Sequence, residues 1–334
     1  MTKRLRSPRL AALGMGLTAV LALTACGGNL GGGDADAASY PDRAVTLLVG
    51  QDAGGSTDLT ARAIADPAST DLGQAITVEN RPGANGAVAA GELAGAPADG
   101  YTAMLFVGSL AYITPLAVPE DQAVDINDYQ VVTGISQDDY VLVVNPDSGF
   151  KTVEDIKNAG RSIKYGTTGV GTGSQLSQAL LFAQAGIEAT AVPFDGGAPT
   201  LTAVLGGQVD AASVQLGEAA AQIQAGEITP IVTFASERPT YLADTPTAVE
   251  AGYDVPVQQS RAIVVPKDTP QDVVDRMRAA FQKAFESQAY RDFNTQRLLT
   301  PNEVDGATLQ QQWNTALEKY RALVEQYKID LSGE

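Results

Sequence analysis

Three stretches of small hydroxyl and glycine residues are the parts of this sequence best suited to hold a charged small molecule. They are Ala53-Gly54-Gly55-Ser56-Thr57-Asp58, Gly166-Thr167-Thr168-Gly169-Val170-Gly171-Thr172-Gly173-Ser174 and Phe194-Asp195-Gly196-Gly197-Ala198. Each follows a short strand-like run (residues 45–49, 162–165 and 189–193) and precedes a helical stretch. A strand-to-helix turn leaves the first N–H groups of the helix unpaired and aimed beyond the strand ends. With the helix dipole they form an anion site that needs no lysine. Glycines let a ligand approach the backbone, and Ser and Thr hydroxyls add donors. The same residues also cap helices, and for any single loop capping alone suffices. Three such loops in one chain point to a carboxylate-binding cleft. The second loop spaces its glycines Gly169-x-Gly171-x-Gly173, which is neither the dinucleotide fingerprint nor a Walker sequence.

Much other chemistry is excluded by composition. The 334 residues include no histidine and one cysteine, Cys26. Ser-His-Asp and Cys-His nucleophiles, His/Cys zinc sites and histidine bases are therefore absent, and no disulfide can form within the chain. No metal ligands and no cofactor are expected. With 22 basic and 39 acidic residues the formal net charge is -17, which repels nucleic acid and anionic lipid.

The start of the chain reads as an export signal. Lys3, Arg4, Arg6 and Arg9 precede an apolar run over residues 10–25, too short for a membrane span. The run ends Leu23-Thr24-Ala25-Cys26, which resembles a bacterial lipobox. Residues 1–25 are thus expected to be a lipoprotein signal peptide, with Cys26 lipidated as the new N-terminus. Cleavage would remove four basic residues and take the net charge from -17 to -21. Residues 26–39, GGNLGGGDADAAS after the cysteine, read as a flexible tether with a mean span of about 20 Å.

The elements that must position the three loops alternate in type. Strands are expected over residues 45–49, 75–79, 101–107, 140–144, 162–165, 189–193, 208–213, 229–234 and 262–265, and helices over 57–72 and 86–93. Strands alternating with helices argue for parallel sheet covered on both faces. Thr269-Pro270 opens a helix with Val273, Met277, Ala280, Phe281, Ala284 and Phe285 on one stripe. The last helix aligns Leu309, Trp313, Leu317, Tyr320, Leu323, Val324 and Tyr327. Both stripes are expected in the core.

Several segments together resemble the substrate-binding proteins of tripartite tricarboxylate transporters, the TctC or Bug family. They are Gly54-Gly55-Ser56-Thr57-Asp58, Val78-Glu79-Asn80-Arg81-Pro82-Gly83-Ala84, Ala96-Pro97-Ala98-Asp99-Gly100-Tyr101-Thr102, Gly196-Gly197-Ala198-Pro199 and Leu205-Gly206-Gly207-Gln208-Val209-Asp210. The resemblance implies an α/β, two-lobed, type II periplasmic-binding-protein-like fold with the ligand cleft between lobes. Lobe 1 would take residues 40–139 and 262–334, and lobe 2 residues 140–261. Carried over to this sequence, first-lobe contacts would be Gly55, Ser56, Thr57 and Ser109. Those of the second lobe would be Thr168, Thr172, Ser174 and Asp195. Arg261 matches a Trp-Arg-Gly segment of one branch, where a guanidinium could grip a carboxylate; an interlobe salt bridge is the equal alternative. In Glu79-Asn80-Arg81-Pro82-Gly83, Arg81 reads as a structural partner of a nearby carboxylate.

The sequence departs from the family at Gln51-Asp52, Gln175, Ser260 and Val214-Gln215, which replace Pro-Phe, a histidine, an aromatic and Asp-Asn. The lining is more polar, so an aliphatic acid is favoured over an aromatic one. The function implied is that of an extracytoplasmic, lipid-anchored, monomeric, non-enzymatic receptor on the periplasmic side or outer face of the cell membrane. It would deliver a di- or tricarboxylate to membrane permease subunits. A subunit reporting to a sensor kinase, or an exported enzyme using paired carboxylates, are the alternatives.

Overall fold

The computed structural model describes residues 40–332. The signal peptide, Cys26 and the tether lie outside the described residues. The chain runs β1 (Val45–Val49), α1 (Ser56–Leu72), β2 (Ile76–Asn80), α2 (Ala87–Ala94), β3 (Thr102–Val107), α3 (Ser109–Tyr112), β4 (Tyr129–Val144) and α4 (Val153–Lys157). It continues through β5 (Ile163–Thr167), α5 (Gly173–Ala185), β6 (Ala189–Pro193), α6 (Gly197–Leu205), β7 (Ala211–Gln215), α7 (Leu216–Gln224) and β8 (Thr229–Thr233). It ends with β9 (Gln258–Pro266), α8 (Gln271–Phe285), α9 (Gln288–Arg297), β10 (Thr300–Pro301) and α10 (Gly306–Tyr327).

The strands are ordered β2-β1-β3-β9-β4-β7-β5-β6, with β8 and β10 also on β4. Pairings β1·β2, β1·β3, β5·β6 and β5·β7 are parallel, as the alternation of strands and helices requires. The middle is antiparallel, because β4 and β9 carry the chain between the two halves. β4 pairs with β9 from Tyr129 to Asp139, then with β7 from Tyr140 to Val144.

β4 starts eleven residues before the strand expected at 140–144, and β9 starts at Gln258 rather than 262. Both extensions carry buried polar residues (Ser136, Asp138, Asp139, Gln259, Ser260), so hydrophobic patterning does not mark them. Two bulges, at Val131/Thr133 and Gly134/Ser136, break the alternation further.

Helices cover both faces. In the first half Leu47, Val49, Leu105 and Ile263 pack under Ile64 and Ala68 of α1 and Met277 and Phe281 of α8. The opposite face puts Leu48, Met104 and Phe106 against Leu93 of α2 and Trp313 of α10. Strands buried on both sides explain why these runs are apolar without alternation. The α8 stripe is wholly buried, whereas of the α10 stripe Leu317, Leu323, Val324 and Tyr327 are only partly buried. Trp313 also donates from Nε1 to Ser260 Oγ at 2.7 Å, fixing α10 to the β9 extension. In the second half Val141, Val143 and Val214 pack on Leu201 and Val204 of α6.

Candidate functional site

The three loops all lie at the carboxyl ends of parallel strands, but their helix starts are not alike. Gly55 caps α1 without a side-chain hydrogen bond, and among the described residues the N–H groups of Ser56, Thr57 and Asp58 meet no acceptor. Asp58 serves the loop instead: its carboxylate accepts from Gly54 N at 2.8 Å and Asn80 Nδ2 at 2.9 Å and pairs with Arg62 at 2.9 Å. Burial raises its pKa, but Arg62, Gly54 N–H and Asn80 outweigh burial and hold it below the usual range. Asn80 reaches on to Gln51 O at 3.0 Å, so the Glu-Asn-Arg-Pro-Gly segment braces the first loop from below. Arg81 of that segment pairs with Glu79 and Glu92 on the surface.

The second loop is closed on itself. Thr172 caps α5 through Gln175 N and donates to Gly169 O. Ser174 accepts from Thr168 N and donates to Ser213 O. Capping accounts for the Thr172 hydroxyl and loop closure onto β7 for that of Ser174, whereas the half-buried Thr168 hydroxyl meets no partner among the described residues. At the third loop Gly196 caps α6 with no side-chain bond, and Asp195 is exposed and makes no hydrogen bond or ion pair among the described residues.

Ser56, Thr57 and Arg261 come together in one network. Arg261 is fully buried on β9 and forms an ion pair with Asp138 on β4. Its Nε donates to Thr57 Oγ1 at 3.2 Å, Nη1 to Asp138 Oδ2 and Ser136 Oγ, and Nη2 to Ser56 Oγ at 3.0 Å and Gln215 Oε1 at 3.3 Å. All five N–H groups of the guanidinium are thus engaged. Burial pushes the Asp138 carboxyl upward, and Arg261 opposes it. A hydroxyl that accepts from a guanidinium must turn its own proton elsewhere, so Ser56 and Thr57 are fixed as donors toward other partners.

Ser109, buried at the start of α3, belongs to a second network joining the halves. Asn85 Nδ2 donates to Ser109 Oγ at 3.1 Å and Thr114 Oγ1 at 3.2 Å, and Thr114 Oγ1 donates to Gly171 O at 3.1 Å. Asn85 is aimed by a turn in which Ala84 and Asn85 both have positive φ (46° and 55°), closed by Gly86 N to Gly83 O. The turn lies against the first loop so closely that a Cβ on Gly50 would stand 2.4 Å from Gly86 Cα.

Sequence reasoning missed Asp138, Ser136, Asn85 and Thr114. The signal available for Asp138 was Asp138-Asp139 beside an apolar strand, an unusual place for adjacent carboxylates. Among the described residues no group of three acidic or cysteine side chains could hold a metal. A groove of about 880 Å³ beside β10, lined by Tyr241, Phe285, Arg291 and Asn294 among others, includes none of the loop residues.

The family model for the tripartite tricarboxylate transporter family receptor, TctC, matches residues 60–329. The chain belongs to the TctC family. A relative from Agrobacterium vitis, "UPF0065 protein in the TAR-I ttuE-ttuC' intergenic region", is 33% identical over 251 residues, 74% of this chain and 72% of that protein. R. palustris Rpa4515, solved with adipate, has a TM-score of 0.81 at 26% identity, covering 87% of this chain and 99% of that one. MatC from Rhodopseudomonas palustris, solved with bound malate, has a TM-score of 0.78 at 27% identity, covering 85% and 100%. The fold is the two-lobed periplasmic-binding-protein fold, and family and fold are those of periplasmic solute-binding proteins.

The Asp138–Arg261 pair gives a stability test. Asp138→Asn removes the counter-ion from a buried guanidinium and should cost ~3–5 kcal/mol in urea unfolding. Asp138→Leu combined with Arg261→Met should recover much of that loss. An Asp138→Asn protein unfolding at the wild-type midpoint would contradict the assignment.

Proposed function

We propose that this chain is an extracytoplasmic solute-binding lipoprotein that takes a small aliphatic carboxylate between its two lobes and passes it to a tripartite tricarboxylate transporter permease. The observation that carries this reading is the bare start of α1. Three adjacent N–H groups without acceptors, and two hydroxyls turned into donors by Arg261, converge at the carboxyl end of β1. These five donors are enough for a carboxylate's four lone pairs without any free cation. Adipate and malate in two similar proteins are of the same chemical class.

In this reading the lobes are residues 40–139 with 262–334, and 140–261; the switch of β4 from β9 to β7 between Asp139 and Tyr140 supports the boundary. The N–H groups of Ser56, Thr57 and Asp58 and the hydroxyls of Ser56 and Thr57 hold the carboxylate, and Gly55, whose own N–H is bonded to Asp52 O, lets it approach the helix start. Ser109 orders the loops through Asn85, and Thr168 contributes the one hydroxyl of the second loop left for a ligand. Thr172 and Ser174 hold that loop in shape, and Arg261 acts through Ser56 and Thr57 rather than on the ligand. The expectation of a second or third ligand carboxylate rested on a free Arg261. With its N–H groups occupied, Arg261 no longer supports that preference, and what still favours a dicarboxylate is the adipate and malate held by the two similar proteins. The protein catalyses nothing, acts as a monomer and is tethered by a lipid on Cys26.

A thermal-shift screen of mono-, di- and tricarboxylates and amino acids tests the reading. The true ligand at 100 times its dissociation constant should stabilise the protein by ~2.7 kcal/mol. Ser56→Ala should then weaken its binding by ~1–3 kcal/mol, the range for a charged partner deprived of one hydrogen bond. A screen in which no carboxylate raises the melting temperature would contradict it. For the anchor, mass spectrometry of native membrane-associated protein should find a mature N-terminus at Cys26 carrying lipid. An unmodified Cys26 in that fraction would exclude it.

A further inference from the structure

The residues around the Arg261 network and the first loop hold more acceptors than the described donors satisfy. Glu218, in the first turn of α7, lies beside the start of α6: a Cβ added to Gly197 would stand 2.0 Å from Glu218 Oε2. Gly197 is therefore the residue that admits this carboxyl to the edge of the third loop. The Gln215 backbone N–H pulls this carboxyl's pKa down, and the Gln215 side chain accepts from Arg261, which ties Glu218 to the Ser56–Thr57 network.

Among the described residues Glu218 has no ion pair; Arg261, whose charge it feels, is neutralised by Asp138. Burial first and Asp138 second push its carboxyl up to about 7, against the pull of Arg261 and the Gln215 N–H. Two further acceptors are unmet. Asp138 Oδ1, on a side chain only 2% exposed, and Gln51 Oε1, two residues before the first loop, are buried without a donor among the described residues. Asp52 and Asp195 add exposed negative charge at the first and third loops, and none of the three loops contains a lysine or arginine.

A polycarboxylate without hydroxyls brings only acceptors and would leave these groups unmet, and any polycarboxylate sets its second charge against theirs. We propose that Glu218 receives an ammonium group of the solute, whose carboxylate lies on the α1 start, so that the solute is a small amino-bearing carboxylate. This rests on the α1 start being the carboxylate site and adds the opposite pole. Asp138 Oδ1 and Gln51 Oε1 take remaining N–H or O–H donors of the same ligand. The solute is held as a dipole: its negative end meets helix N–H groups, its positive end a carboxylate.

The test is isothermal titration of the full chain with ligand pairs of matched length: 4-aminobutyrate against succinate, and 5-aminopentanoate against glutarate. Wild-type protein should bind at least one amino acid about tenfold or more tighter than its matched diacid. Glu218→Gln, nearly isosteric, should remove that preference, and Gly197→Ala, which displaces the carboxyl while keeping its charge in the chain, should weaken it. Urea unfolding of each variant checks that the fold is kept. Tight binding of the diacids with no loss in Glu218→Gln would overturn the proposal and leave the carboxylate site standing. Binding of neither class would overturn both.

Discussion

A buried guanidinium must place every one of its N–H groups, and the geometry of the cleft follows from how Arg261 does so. Its five acceptors come from α1, from β4 and from the end of β7. One side chain on β9 thereby sets the position of the first loop, the crossover strand and the second half of the sheet. Desolvating such a charge is costly, and the pairing with Asp138 is what makes its burial tolerable. Replacing the pair by apolar residues could preserve stability, yet it would leave Ser56 and Thr57 free to rotate. The pair's value to the protein lies in positioning.

Two loops of similar composition behave differently for a physical reason. Around α5 the side chains Thr172, Ser174 and Gln175 satisfy backbone groups locally, so that loop is rigid and largely closed. Around α1 the acidic residue that could cap the helix, Asp58, is drawn away by Gly54, Asn80 and Arg62. The helix start stays bare and its partial positive charge is available. At long range the chain opposes anions, with a net charge of -17. Screening over about 8 Å at physiological salt leaves the local dipoles to decide what binds.

Much of the architecture was legible in the sequence. The parallel strands and the α8 stripe follow from apolar runs and helical periodicity, and the three loops follow from where glycines and hydroxyls cluster between them. What patterning could not show is the polar middle. Residues 129–139 and 258–261 form the crossovers, and their buried Ser136, Asp138, Asp139 and Gln259 resemble surface residues until their partners, over a hundred positions away, are known. The same distance hid the role of Arg261, since nothing near it in sequence reveals that Asp138 awaits it. Asn85 was hidden differently: a non-glycine turn with positive φ has no marker beyond an Asn-Gly pair, which usually indicates a hairpin.

The central claim is that the solute's carboxylate is held by the bare start of α1 while Arg261 remains committed to the protein. A crystal structure of the complex with the solute identified by binding tests it most directly. The account predicts a ligand carboxylate within hydrogen-bonding distance of the Ser56, Thr57 or Asp58 N–H groups, with Arg261 still paired to Asp138. A guanidinium turned away from Asp138 onto the ligand, or a ligand carboxylate bound away from the α1 start, would contradict it.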